Sequence, residues 1–273
     1  MTLSGEPRLR RMAGMGLGKR VDAEYMIQAS DSTGDFGIAR WQAWAPGAHG
    51  AEGWQAWLKG TQSGEVDSQP DVNFLPPLLR RRLDRHGRMA LATAWPCTEG
   101  LPTVPCVFAS RHGSLDRTLG LLTGLAAGDM LSPTDFSLSV HNSTVGLYSI
   151  ARGDRAPATA MAAGADSLGM GMIEGANMIA AGAERVLVCY ADDVVPEAYR
   201  PHIATEPART PFSVSLLLTA ASDVPLRCRL WRHEGAPTEA PENALMRFLM
   251  DEAETSVLGV HQPWRLERRH HAH

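Results

Sequence analysis

Only four cysteines stand in the 273 residues, at positions 97, 106, 189 and 228, and no two of them form a C-x-x-C pair. With no histidine pair at finger spacing either, a structural zinc site has nothing to be built from. Thiols this sparse and unpatterned suit a reducing compartment. Uncharged apolar runs stay short of the roughly 18 residues that a membrane-spanning helix needs. The opening residues, MTLSGEPRLRRMAGMGLGKR, hold no apolar core of signal-peptide length. Together these features set the expectation of a cytoplasmic chain that uses no membrane. Excess charge is scarce too. A net charge of −4 gives no support to a global nucleic-acid or membrane-surface role, so any charged partner must be met by a local patch.

What is present is 44% hydrophobic content, enough for a sizeable core, arranged as strands alternating with helices. Residues 1–34 are polar, basic and Gly-rich, and read as a disordered or upstream extension. GMGLGK within them has the wrong spacing for a phosphate loop and no strand before it. FGIARWQAWAP (36–46) reads as a strand, and EGWQAWLKG (52–60) as a helix stopped by Gly60. A helix is expected from Pro77 to Ala94, with Pro96 beyond its end. TVPCVFASRHG (103–113) ends as a short apolar strand. Ser114 is placed to cap a helix that closes at Gly128. RVLVCYAD (185–192), PFSVSLLLTAA (211–221) and LRCRLWRH (226–233) read as strands, the first buried by its apolar run. PENALMRFLMDEAET (241–255) reads as a last helix, so 236–273 is expected to be a helix and a tail ending in RRHHAH.

The centre of the chain is different in kind. More than half of the residues from Ala156 to Ala183 are Ala or Gly. Each glycine costs a helix about 1 kcal/mol relative to alanine, so several of them together need a packing cause. The expectation is a strand entering a buried helix, with Met161 at the junction where enzymes often keep a nucleophile. Ser167 lacks the spacing of a nucleophile elbow; about two turns into that helix, its hydroxyl is expected to bond a backbone carbonyl. Gly169, Gly171 and Gly175 miss the dinucleotide fingerprint and read as packing glycines. Cys189, inside an apolar strand, reads as an inert buried thiol. His141, Asn142 and Ser143, read as consecutive strand residues, point to opposite faces and do not converge.

The stretch FSLSVHNSTVGLYSIARGDRAPATAMAAGADSLGMGMIEGANMIAAGAERVLVCYADD (136–193) resembles the N-terminal half of the β-ketoacyl synthases. The likeness extends upstream through PPLLRRRLDRHGRMALATA and downstream to RTPFSVSLLLTAA. It covers roughly 35–235, the expected domain, and within the family it is most similar to the short chain length factors of type II polyketide systems, notably those making aryl polyenes. It implies a thiolase-like layered α/β fold. It also places Thr159 and Ala160 on the strand before the nucleophile, and Met161 on the catalytic cysteine itself. A thioether has no ionisable proton and cannot take an acyl chain as a thioester.

The family's catalytic histidines come from a C-terminal half, and His233 and His261 stand in no motif like theirs. The resemblance therefore implies a non-catalytic subunit with no cofactor of its own. It would pair with a full-length β-ketoacyl synthase in polyketide or fatty-acid-like biosynthesis, and meet an acyl carrier protein through its phosphopantetheine arm. Ala156, Pro157, Ala158, Thr159, Ala160, His141 and Asn142 are then expected at the dimer interface. Leu115, Leu119 and Leu122 recur at helical spacing, which reads either as an ordinary buried face or as a gate on the partner's acyl tunnel. Arg80, Arg81, Arg82, Arg85 and Arg88 read either as a solvated face or as a docking site for the acidic carrier protein. Nucleic acid is disfavoured there by the absence of interleaved aromatic residues. Two other functions stay open on the sequence: a stand-alone condensing or decarboxylating enzyme with an unrecognised nucleophile, and a homodimer that binds acyl carrier protein.

Overall fold

A computed structural model describes residues 32–269, apart from 63, 64, 66, 204–209 and 223. Residues 1–31 of the expected extension, with GMGLGK, and the histidines of the final tail lie outside the described residues; its last residues are ordered, with the Thr33 N–H donating to Leu230 O at 2.9 Å and Ser32 bridging Trp231. Within them, eight strands make one sheet. In chain order these are β1 (Phe36–Trp44), β2 (Cys106–Ala109), β3 (Ala158–Met161), β4 (Arg185–Asp192), β5 (Phe212–Thr219), β6 (Leu226–Arg232), β7 (Thr255–Leu258) and β8 (Trp264–Arg268). They lie side by side as β3-β2-β4-β5-β1-β6-β8-β7. The first three in that order run parallel, and every later neighbour is antiparallel.

Strands β4 and β5 sit in the middle and are covered on both faces, which is why they read as apolar runs rather than alternations. Val186, Val188, Val214, Leu216 and Leu218 point to one side, into a core shared with α1 (Gly50–Leu58), α7 (Ser167–Ala180) and α8 (Pro241–Leu249). Leu187, Cys189 and Leu217 point to the other. There they meet Ala90, Leu91 and Ala94 of α3 (Arg85–Thr98) and Val145, Leu147 and Tyr148 of α6 (Ser143–Arg152).

The glycines of α7 have the packing cause that the sequence demanded. A Cβ on Gly171 would fall 2.9 Å from the Ala109 methyl. One on Gly175 would fall 2.3 Å from a Val188 methyl and 3.0 Å from Leu218. The helix backbone thus rests directly on β2, β4 and β5, as α/β packing requires of helix glycines that face a sheet. Burial is one-sided, however. Asn177 and Ala180 are exposed and Glu174 is half-buried, so the expected buried helix is corrected to one with a single buried face.

Three other expectations are corrected by local capping. The 77–94 helix is two helices, α2 (Pro77–Arg80) and α3, because the Asp84 carboxylate accepts the Gly87 N–H at 2.8 Å and restarts the chain as a new N-terminus. Pro96 lies inside the last turn of α3, not beyond it. The last helix ends at Leu249 rather than Thr255. Asp251 turns left-handed (φ 66°), and Glu252 N–H closes the end on Arg247 O at 2.8 Å. The residues read as a tail then return as β7 and β8, an antiparallel pair that extends the sheet.

Candidate functional site

Met161 is the last residue of β3, in register with Ala109 of β2, and its carbonyl accepts the Ser110 N–H at 3.1 Å. Its side chain packs against the core that includes Leu168 and Met172. The helix does not begin there. Ala162, Ala163 and a 3₁₀ turn at Gly164–Asp166 intervene, and α7 starts at Ser167. Ser167 therefore opens the helix instead of lying two turns inside it. Its hydroxyl does bond a carbonyl, Gly164 O at 2.8 Å, while accepting the Ala163 N–H at 2.9 Å.

Asp166 holds the N-cap position of this helix, but its side chain makes no capping bond there. The Asp166 carboxylate is buried, and one of its oxygens accepts the backbone N–H groups of Val260 and, at 2.8 Å, His261. It ties the β7–β8 loop to the α7 terminus. Nothing in the sequence signals a link between residues 166 and 260, which lie on separate elements.

A second polar group closes the ends of β2 and β4. Asp192 accepts the Ser110 hydroxyl at 2.9 Å and the Arg111 N–H at 2.7 Å through one oxygen, and the Tyr190 phenol at 2.7 Å through the other. The phenol oxygen also lies 3.0 Å from Glu242 in the first turn of α8; its single hydrogen serves one carboxylate at a time. The Ser110 hydroxyl in turn accepts the Gly113 N–H at 2.8 Å. These residues pin a loop. The only sequence signal for them was Tyr190 and Asp192 at i, i+2 on an otherwise apolar strand.

A model of the β-ketoacyl synthase N-terminal domain matches residues 54–264. The chain belongs to this family. Its sheet and helices form the thiolase-like layered fold of a ketosynthase N-terminal half, and solved structures agree. The fold superposes with TM-score 0.72 on a chain from the ketosynthase ApeO in complex with its chain length factor ApeC, from Xenorhabdus doucetiae. Identity there is 29%, over 85% of this chain and 99% of that one. The ishigamide ketosynthase/chain length factor matches at 17% identity and TM-score 0.59, over 80% of this chain and 74% of that one. A β-ketoacyl synthase from Burkholderia phymatum matches at 13% and 0.55, over 67% and 58%. None of the curated proteins compared matches the sequence.

The thiols of this β-ketoacyl synthase domain are all held in their neutral form. All four cysteines are free and buried. Burial pushes the Cys97, Cys106 and Cys228 thiols up to about 12, and Cys189 up to about 11. Among the described residues no group of three or more His, Cys, Asp or Glu could hold a metal ion, and no helix is long and apolar enough to cross a membrane. Thiols kept protonated by folding stabilise fully below the unfolded pKa near 8.5. That stabilisation is lost as the pH climbs toward 12, at up to about 1.4 kcal/mol per pH unit for each thiol. The native chain is expected to leave a disulfide reagent such as DTNB unreacted at pH 8 and to release all four thiols in denaturant. Its urea midpoint should fall steadily above pH 9.

The other candidate residues separate. Ala156 and Pro157 precede β3, and Ala158, Thr159 and Ala160 form it. One edge of β3 bonds β2 and the other is the end of the sheet. His141 and Asn142 lie in the turn between α5 (Pro133–Ser139) and α6, not on a strand. The segment breaks there because Ser132 and Pro133 start one helix and Asn142 takes the N-cap position of the next. His141 Nε2 sits 3.2 Å from Ser110 O, with its ring against Gly113, whose φ of 60° and missing side chain leave the room. Of the arginines, Arg81 and Arg82 are exposed, Arg80 and Arg88 are half-buried, and Arg88 bonds the Arg80 carbonyl at 3.2 Å. Arg85 turns inward onto Asp193, its Nε donating at 2.9 Å.

Leu115, Leu119 and Leu122 lie on α4 (Leu115–Ala127), where no residue is buried, which overturns their reading as an ordinary core face. None is buried on α5 either. Leu122, Leu125, Met130, Leu131, Phe136 and Val140 are exposed along this two-helix arm.

Proposed function

We propose that this chain is a non-catalytic, chain length factor-type subunit that pairs with a full-length, cysteine-bearing β-ketoacyl synthase and completes that partner's acyl pocket. The observation that carries the reading is the α4–α5 arm. Two successive helices, the first rich in leucine, with no buried residue and a row of large apolar side chains in solvent, are a surface waiting for a second chain. Edge strand β3 offers a second point of contact, since its free hydrogen-bonding groups are satisfied by strand pairing.

Chemistry supports the division of labour. The position that resembles the family's nucleophile holds a thioether, and the helix terminus lies several residues beyond it, where α7 begins at Ser167. A thiol placed at 161 would gain little of the help that an open helix N-terminus gives a thiolate. The choice of a ketosynthase as partner is supported by the Xenorhabdus doucetiae structure, itself a ketosynthase with its chain length factor, of which this chain spans nearly a whole subunit. In this reading Leu115, Leu119 and Leu122 border the partner's tunnel. The phosphopantetheine arm of an acyl carrier protein enters through the partner, in an aryl polyene or related polyketide pathway.

The test is co-expression with a cysteine-bearing β-ketoacyl synthase from the same genome. A one-to-one complex by native mass is expected. The chain alone, given malonyl-loaded carrier protein, is expected to show no acyl adduct and no turnover, and Met161→Cys is expected to change neither. Covalent acyl transfer to the isolated chain would defeat the reading.

A further inference from the structure

The far end of the sheet carries a surface of another kind. Cys228 and Leu230 of β6 and Leu266 of β8 are buried in the core. Strand alternation therefore turns their neighbours to the opposite face: Arg227, Arg229 and Trp231 on β6, and Arg265 and Glu267 on β8. All five keep contact with solvent. The register sets Arg229 beside Glu267 and Trp231 beside Arg265.

Charge on this face is unbalanced. Arg229 Nε donates to Asp35 Oδ1 at 2.6 Å, and the guanidinium groups of Arg227 and Arg269 approach the same carboxylate at 3.8 Å each. Three cations thus share one anion. Arg265 stands 3.8 Å from Glu267, so four arginines face two carboxylates, in a chain whose net charge is −4. Like charges on neighbouring sheet positions repel, and an added anion relieves them. The Arg229 guanidinium also lies 5.2 Å from the centre of the Trp231 ring, which gives the patch a flat apolar floor.

We propose that this face docks an acidic protein surface, with carboxylates forked by Arg227, Arg229 and Arg265 while an apolar side chain rests on Trp231. Guanidinium groups suit carboxylates because their paired N–H donors match the two oxygens. The same patch fits a nucleic acid poorly. One indole does not make the row of stacking rings that single strands use. In the sheet order β6 stands five strands from β3, about 24 Å at about 4.8 Å per strand. The residues of this face are none of those on which the pairing argued above rests.

The test uses the full-length chain and a fluorescent poly-L-glutamate peptide at low salt, followed by anisotropy. Binding that weakens as salt is added is expected. Arg229→Gln with Arg265→Gln should weaken it by about tenfold, the scale of a lost charge pair. Asp35→Asn, which removes the competing carboxylate, should tighten it a few-fold, a gain that misfolding cannot produce. Equal affinity in the wild-type and double-glutamine chains would overturn the proposal. So would the absence of tightening in Asp35→Asn, or an oligothymidine bound as tightly as the polyglutamate.

Discussion

Replacing Arg85 with alanine should cost the fold about 3–5 kcal/mol, the usual penalty for stranding one member of a buried ion pair. At a few degrees per kcal/mol, the melting temperature should drop by roughly 10 °C. The Arg85 and Asp193 side chains are only 12% and 10% exposed, and they meet through two guanidinium nitrogens. Without Arg85 the Asp193 carboxylate keeps the Val194 N–H at 2.7 Å but stays buried beside Asp116, whose own pKa burial and the Asp193 charge already raise. The neighbouring Arg81 supplies the control. It is exposed, and Arg81→Ala should stay within about 0.5 kcal/mol of the parent. Calorimetry of the two variants decides whether the basic cluster is one surface or two separate things. If Arg85→Ala melts like the parent, Arg85 is free to act at the surface and the buried pair has been misread.

The second large effect concerns the arm. Leu125 and Phe136 are 57% and 61% exposed. Glutamate at both should leave the isolated chain's stability within about 0.5 kcal/mol, because neither side chain is packed. Pairing with the co-expressed β-ketoacyl synthase should fail. Apolar anchors at the centre of an interface are worth about 2 kcal/mol or more each, roughly thirtyfold in affinity, so the two together should abolish co-purification. A variant that still co-purifies in full yield shows that the partner sits elsewhere, and then β3 is the first place to look.

The central strands and the glycine helix were legible because one cause dominates each. Nothing but two-sided burial makes a run such as Val186-Leu187-Val188, and nothing but close approach explains Gly171 and Gly175. The two strands at the C-terminal edge were not. In β8 a tryptophan and a leucine alternate with Arg265, Glu267 and Arg268, and one face of the strand is open, so its composition matches that of an exposed tail. The break before α3 hides in a run of good helix formers and depends on one carboxylate. The opposite error occurred at α4: leucine spacing shows that a helix has an apolar stripe, and says nothing of whether the same chain covers it. At the site itself, Met161 stood out by its place at a strand–helix junction and by the resemblance, whereas Asp166 acts through backbone amides that no side-chain pattern announces.

The place of β1 in the sheet has a consequence for synthesis. It leaves the ribosome first among the described strands, yet it ends between β5 and β6, with Trp44 opposite Ser213 and Phe36 opposite Cys228. Roughly 170 residues must be translated before Trp44 meets its mate, which at about 5–20 residues per second means on the order of ten seconds or more as an unmated ribbon. Closure of the middle of the sheet is therefore a late event, and the nascent polypeptide is at its most vulnerable to chaperone capture or aggregation until the stretch 212–232 has emerged.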